Sequence, residues 1–240
     1  MLIPVPIPQS AGRAGTVRVA MTSGRLITIE GIDGAGKTTL AAALEERLRA
    51  HGLRVQLLRE PGGVRAAERV RELVTDPALE IGPRAEALLY AAARAQLVEE
   101  AIRPLLDDGA WVLLDRFVDS SLAYQGAGRE LGLDAVRAIN QFATGGVTPD
   151  RTLLLALDSP VARARSRSRA QPADRLEREE QAFFDRIAEG YLELARAEPQ
   201  RIRQIDANGQ PGEVLEAAWA GLADLLPSSP RSSGGGEPGG

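Results

Sequence analysis

One short segment constrains this chain more than any other. Gly31-Ile32-Asp33-Gly34-Ala35-Gly36-Lys37-Thr38 satisfies G-x-x-x-x-G-K-[ST] at every defined place. It follows the strand-like run Leu26-Ile27-Thr28-Ile29-Glu30 and precedes a stretch with leucines at 40, 44 and 48, one face of a helix. Strand, loop and helix in that order give the pattern its physical meaning. Glycines let the backbone curl until successive N–H groups converge on phosphate oxygens, and the helix start adds partial positive charge. Lys37 is the only lysine among 29 basic residues, so every other cation is an arginine. A compact ammonium fits inside a loop wrapped around phosphates, where a wide planar guanidinium does not. The chain is therefore expected to bind a nucleoside triphosphate through Gly31 to Thr39. Lys37 would lie on the β- and γ-phosphates, and the Thr38 hydroxyl on Mg²⁺.

The rest of the composition narrows the chemistry. There is no cysteine and a single histidine, His51, which precedes Gly52 at a helix end. Thiolate sites, disulfides, Ser-His-Asp catalysis and multi-histidine metal sites drop out, and a reducing cytoplasm suits the chain. A net charge of −4 argues against a nucleic-acid binder. No apolar run reaches the roughly 18 residues of a membrane span. Arginine, carboxylate, hydroxyl and one ammonium suit phosphoryl transfer, where positioning and charge neutralisation supply most of the catalysis.

Short apolar strands alternate with helical patterns. Strands are expected at 26–30, 55–58, 111–115, 152–157 and 202–205. Helices are expected at 38–50, 65–75, 83–107, 134–143, 176–197 and 212–225. Continuous apolar strands separated by helices predict an α/β fold, a five-stranded parallel sheet covered on both faces. Residues 1–20, interrupted by Pro4, Pro6 and Pro8, read as a disordered extension or a mis-assigned start before Met21. Residues 21–226 read as one P-loop domain, and the Ser/Gly/Pro-rich 227–240 as a disordered tail. An arginine-rich insertion at about 163–176 carries Arg163, Arg165, Arg167, Arg169 and Arg175 and reads as a mobile lid.

Several uncommon strings in a fixed order then resemble the bacterial thymidylate (dTMP) kinases, P-loop nucleoside monophosphate kinases. They are ITIEGIDGAGKTT (27–39), REPGG (59–63), LLYAAARAQ (88–96), LLDRFVDSSLAYQGAGR (113–129), DRLEREEQAFF (174–184) and GYLELA (190–195). The likeness runs from Arg25 to about Leu225. It implies transfer of the γ-phosphoryl group of MgATP to dTMP, giving dTDP and ADP for dTTP synthesis, in a cytoplasmic enzyme. It also implies a homodimer formed through helices.

The same likeness assigns roles. Tyr90 and Arg94, four apart on one helix face, would hold the base, the ring stacking and the guanidinium reaching O4. Ser121 and Gln125, also four apart, would face the base, and Tyr124 the sugar's 2′ position. Asp33 is implied on the 3′-hydroxyl and Arg71 on the monophosphate, with Glu60 near the magnesium or sugar. Arg116 would bridge the acceptor phosphate and the transferring γ-phosphate. Asp115 is expected to orient Mg²⁺ or its water shell, with a plain strand-end ion pair as the alternative. Because the phosphate loop itself holds no arginine, a lid arginine, Arg167 or Arg169, is expected on the γ-phosphate. A switch GTPase is ruled out by the missing Asn-Lys-x-Asp signature, whose lysine this chain does not possess.

Overall fold

The computed structural model describes residues 23–157, 161–162, 175–176 and 179–227. Five strands form one sheet, β1 (Arg25–Glu30), β2 (Val55–Arg59), β3 (Trp111–Asp115), β4 (Arg151–Ala156) and β5 (Ile202–Asp206). The order is β2-β3-β1-β4-β5 and every pairing is parallel. Each predicted strand is present to within a residue at either end. Alternation of side chains sends Ile27, Ile29 and Leu113 to one face, where Leu40, Leu44 and Leu48 of α1 (Lys37–Ala50) cover them. Leu26, Val112 and Leu114 point the other way, onto Leu97, Val98 and Ile102. Two apolar layers thus sandwich the sheet, and its carboxyl edge is where an open α/β sheet receives ligands.

The other helices are α2 (Arg65–Thr75), α3 (Pro83–Leu97), α4 (Arg103–Asp107), α5 (Val118–Ser121), α6 (Leu133–Thr144), α7 (Gln181–Ala197) and α8 (Pro211–Ala220). The single helix expected over 83–107 is broken. A π-helical turn, Val98–Ile102, separates α3 from α4. Pro104 has no N–H to offer the carbonyl of Glu100, so the regular ladder cannot pass and the wider turn absorbs the residue. A second π-helical segment, Leu122–Gly128, continues α5 and carries Tyr124 and Gln125. The expected helices at 176–197 and 212–225 are shorter here, α7 starting at Gln181 and α8 ending at Ala220. The expected extension 1–20, most of the tail 227–240 and most of the lid, including Arg163, Arg165, Arg167 and Arg169, lie outside the described residues.

Candidate active site

The phosphate loop leaves β1 through backbone that only glycine accepts freely. Gly31 has φ 136° and Gly34 φ 88°. A Cβ on Gly31 would stand 2.8 Å from the Leu155 carbonyl oxygen, and one on Gly34 would strike the Ala162 carbonyl. Lys37 folds back into this curl, its Nζ donating to the carbonyls of Gly31 at 3.0 Å and Ile32 at 2.9 Å. Burial and the nearby Arg116 push its pKa down to about 8, against the pull of Asp33, Asp115 and Glu30. A triphosphate in the loop would add negative charge and reverse that shift.

The neighbouring strand β3 delivers Asp115 and Arg116 to the same edge. Thr38 Oγ1 donates to Asp115 Oδ2 at 3.1 Å, joining the loop's hydroxyl to the strand-end carboxylate. Two hard oxygen donors side by side fit Mg²⁺, which keeps several waters and takes its other ligands from phosphates. Among the described residues no three His, Cys, Asp or Glu side chains cluster into a fuller cage.

Arg116 adopts φ 72°, a left-handed conformation that costs a non-glycine residue roughly 1–3 kcal/mol. The strain is held by its own N–H on the Ile29 carbonyl and by the next N–H, of Phe117, on Glu30 Oε1. So turned, the guanidinium reaches the loop on one side and the cavity on the other. Nη1 donates to Gly31 O at 3.1 Å and Ser120 Oγ at 3.0 Å, and Nη2 to Asp33 Oδ1 at 2.6 Å and the Tyr124 hydroxyl at 3.1 Å. Tyr124 in turn donates to Asp33 Oδ2 at 2.9 Å. Burial would push the Asp33 carboxyl up, but Arg116, Lys37 and the Tyr124 hydroxyl outweigh it and hold the group well below the usual carboxylate range.

Beyond Arg116 opens a cleft that is continuous with solvent. Asp33, Glu60, Arg71, Tyr90, Arg94, Arg116, Ser121, Tyr124 and Gln125 all line it. Every acceptor-side residue expected from the sequence therefore meets in one place. Their local partners refine the expected roles. Arg94 is 1% exposed and spends all five of its N–H groups. Nε and Nη2 grip Glu60 Oε2 at 2.8 and 2.6 Å, Nη1 donates to Ser121 Oγ at 2.9 Å and to Asn140 Oδ1, and Nη2 also takes the Phe117 carbonyl at 2.9 Å. The expected reach to a base oxygen requires one of these bonds to let go. Glu60, expected near magnesium or sugar, is the counter-ion of Arg94 here, with its buried Oε1 unpaired among the described residues. Arg71 donates to the Pro61 carbonyl at 3.2 Å from the rim of the cavity.

Four contributors escape a motif-based reading. Glu30 is fully buried behind Arg116 and accepts from Phe117 N–H, Ser120 Oγ and the Tyr191 hydroxyl at 2.7, 2.6 and 3.0 Å. Burial first, then Asp119, raises its pKa to about 7, against Ser120, Arg116 and the Phe117 N–H. Tyr191 comes from α7, Asn140 from α6, and Glu86 from α3 one turn before Tyr90. Position four before Tyr90 was the only sequence signal for Glu86.

A family model described as thymidylate kinase matches residues 29–218. The chain is similar to the thymidylate kinase of Deinococcus radiodurans, 52% identical over 204 residues that cover 85% of this chain and 98% of the relative. It is similar to that of Rhizorhabdus wittichii, 48% identical over 208 residues covering 85% and 99%. Among solved structures it is similar to the crystal structure of thymidylate kinase from Ehrlichia chaffeensis. There the TM-score is 0.70 at 30% identity, over 84% of this chain and 99% of that one.

Proposed function

This chain belongs to the thymidylate kinase family, and from that premise we propose how its side chains divide the labour of the family's reaction. The enzyme transfers the γ-phosphoryl group of ATP to dTMP, giving dTDP and ADP. An oxygen of the dTMP phosphate attacks the γ-phosphorus, and the bond to the β–γ bridging oxygen breaks with its electron pair leaving on ADP. The attacking oxygen is already anionic near neutral pH, so no general base is required.

On the donor side the loop Gly31 to Thr39 holds the triphosphate, with Lys37 on the β- and γ-phosphates. Thr38 and Asp115 would hold Mg²⁺, which neutralises charge on the β- and γ-oxygens when bound. On the acceptor side Tyr90 stacks on the base, and Ser121 and Gln125 face its edge. Asp33 and Tyr124 take the sugar, Arg71 the monophosphate, and Arg94 with Glu60 forms the wall behind the base. Arg116 joins the two sides. The single observation that supports this most is that guanidinium, bonded at once to the phosphate loop and to residues of the acceptor cavity. A lid arginine, Arg167 or Arg169, completes the charge neutralisation. ADP release measured with ATP and a panel of dTMP, dUMP, dCMP and thymidine tests the reading. Highest turnover is expected with dTMP, and a preferred ribonucleotide or nucleoside would overturn it.

Leu73 on α2, Leu88 on α3 and Phe142 on α6 are 47%, 56% and 90% exposed, on helices that pack as neighbours. A homodimer formed through this face would bury them. Sedimentation should show a dimer that Phe142→Asp weakens; a monomeric wild-type protein contradicts it. Among the described residues no helix is long and apolar enough to cross a membrane. With its net negative charge, the protein fits a cytoplasmic enzyme that engages neither membrane nor nucleic acid.

A further inference from the structure

Glu86 lies outside the cavity wall, yet it is 0% exposed and sits at the centre of a charged cluster. Arg129 donates to it through Nε at 3.3 Å and Nη2 at 3.1 Å, and Arg175 through Nη2 at 2.6 Å. Arg175 also donates to the Val74 carbonyl at 3.1 Å, which ties the far end of the arginine-rich segment to α2 and α3. The remaining contact of Glu86 is with the cavity. Gln125 Nε2 donates to Glu86 Oε1 at 2.9 Å.

That bond fixes which end of the amide faces the ligand. A carboxylate gripped by two guanidiniums accepts on both oxygens and has no donor, so only the NH₂ end of Gln125 can face it. The carbonyl end, Oε1, has no partner among the described residues and belongs to a side chain that lines the cavity. The other two candidates for reading a base edge lack such a fixed sense. Arg94 has all its N–H groups engaged. Ser121 accepts from Arg94, and its hydroxyl can rotate to suit either a donor or an acceptor.

We propose that Glu86 is a positioning residue for base specificity: it locks Gln125 so that the cavity presents a fixed acceptor, which demands a ring N–H from the base. Thymine and uracil carry that N–H at N3. Cytosine has a lone pair there, so its N3 would face an oxygen and leave two buried acceptors opposed. The inference rests on the pyrimidine-monophosphate reading of the site given above and adds the source of its discrimination.

The test compares dTMP with 5-methyl-dCMP, which keeps the 5-methyl group and changes only the N3 and C4 edge. Wild-type protein is expected to favour dTMP strongly in kcat/KM. In Glu86→Gln the neutral amide can meet either end of Gln125, so the preference should fall by about ten- to a hundredfold, with KM for ATP unchanged. A role confined to stability would lower both substrates together and leave their ratio intact, and an unchanged ratio overturns the inference. Gln125→Met leaves Glu86 and its two arginines in place and covers the case in which Glu86→Gln does not fold. It too should lose the preference, and a wild-type ratio in that variant overturns the inference. Failure of the wild-type protein to phosphorylate any pyrimidine monophosphate overturns the kinase reading itself. Full activity on dTMP with undiminished discrimination in Glu86→Gln overturns the role of Glu86 and leaves the kinase reading standing.

Discussion

Arg116 Nη2 and Asp33 Oδ1 stand 2.6 Å apart, so a guanidinium at the end of β3 is held by the phosphate loop that opens from β1, 83 residues earlier. Donor and acceptor halves of the site share this ion pair, which is 16% and 29% exposed on its two sides and so only partly screened by solvent. Asp33→Asn keeps the shape and one acceptor but loses the charge. With a hydrogen bond to a charged partner weakened, kcat/KM for dTMP should fall about ten- to a hundredfold, while KM for ATP changes far less. Steady-state kinetics with each substrate varied in turn checks this. A rise in KM for ATP with kcat/KM for dTMP unchanged would place Asp33 on the donor side alone.

Lys37 offers a sharper steric test. Its ammonium sits within the curl of its own loop, on the Gly31 and Ile32 carbonyls. Lys37→Arg conserves charge in a chain that uses arginine everywhere else, yet the fork does not fit where the ammonium does. Turnover should drop about a hundredfold to a thousandfold, comparable to losing a preorganised donor to a developing charge. A variant with near-normal kcat would show that charge alone suffices there.

The difference between what the sequence disclosed and what it hid follows the range of the interactions. Lys37, Thr38 and the glycines of the loop are set by contiguous chain, and Tyr90 and Arg94 by one helical turn. Their grouping around a cavity needed only the parallel sheet, which the alternation of strands and helices predicts. The spent N–H groups of Arg94 were not legible, because Glu60 and Asn140 reach it from 34 residues before and 46 after. Glu30 meets Tyr191 across 161 residues, and no local pattern marks that contact. The π-helical turn before Pro104 was hidden for a different reason. Periodicity shows that a helix persists, whereas the missing N–H of one proline decides how it is wound.

Glu30 links the site to pH. Its folded pKa of about 7 lies above the ordinary 4.5, because burial and Asp119 disfavour the charge. A raised carboxyl contributes stability that is fully present below its unfolded pKa and is lost as pH rises through the folded one. Glu30→Gln removes the titration. Chemical denaturation of the two proteins from about pH 5 to about pH 8 should show the stability of wild type relative to the variant falling as pH rises, then levelling off. A relative stability that rises with pH would mean the carboxylate is better satisfied by Ser120, Tyr191 and Phe117 than its burial implies.

The lid supplies a further prediction. With no arginine in the phosphate loop, one of Arg163, Arg165, Arg167, Arg169 and Arg175 should neutralise the transferring group, and we favour Arg167 or Arg169. Alanine at that position should cut kcat by roughly 10³–10⁵ with little effect on dTMP affinity. Single alanine variants at all five positions, assayed for kcat and for dTMP binding, decide the matter. Near-normal kcat in every one would remove the lid from the chemistry.

The central claim is that the γ-phosphoryl group passes from ATP directly to dTMP. Incubating the protein with ATP labelled in the γ-phosphate, Mg²⁺ and dTMP, then separating the products, follows that group itself. The label should appear in dTDP in step with ADP, with little in orthophosphate. Label accumulating in orthophosphate while dTMP stays unchanged would contradict the account and leave a hydrolase in its place.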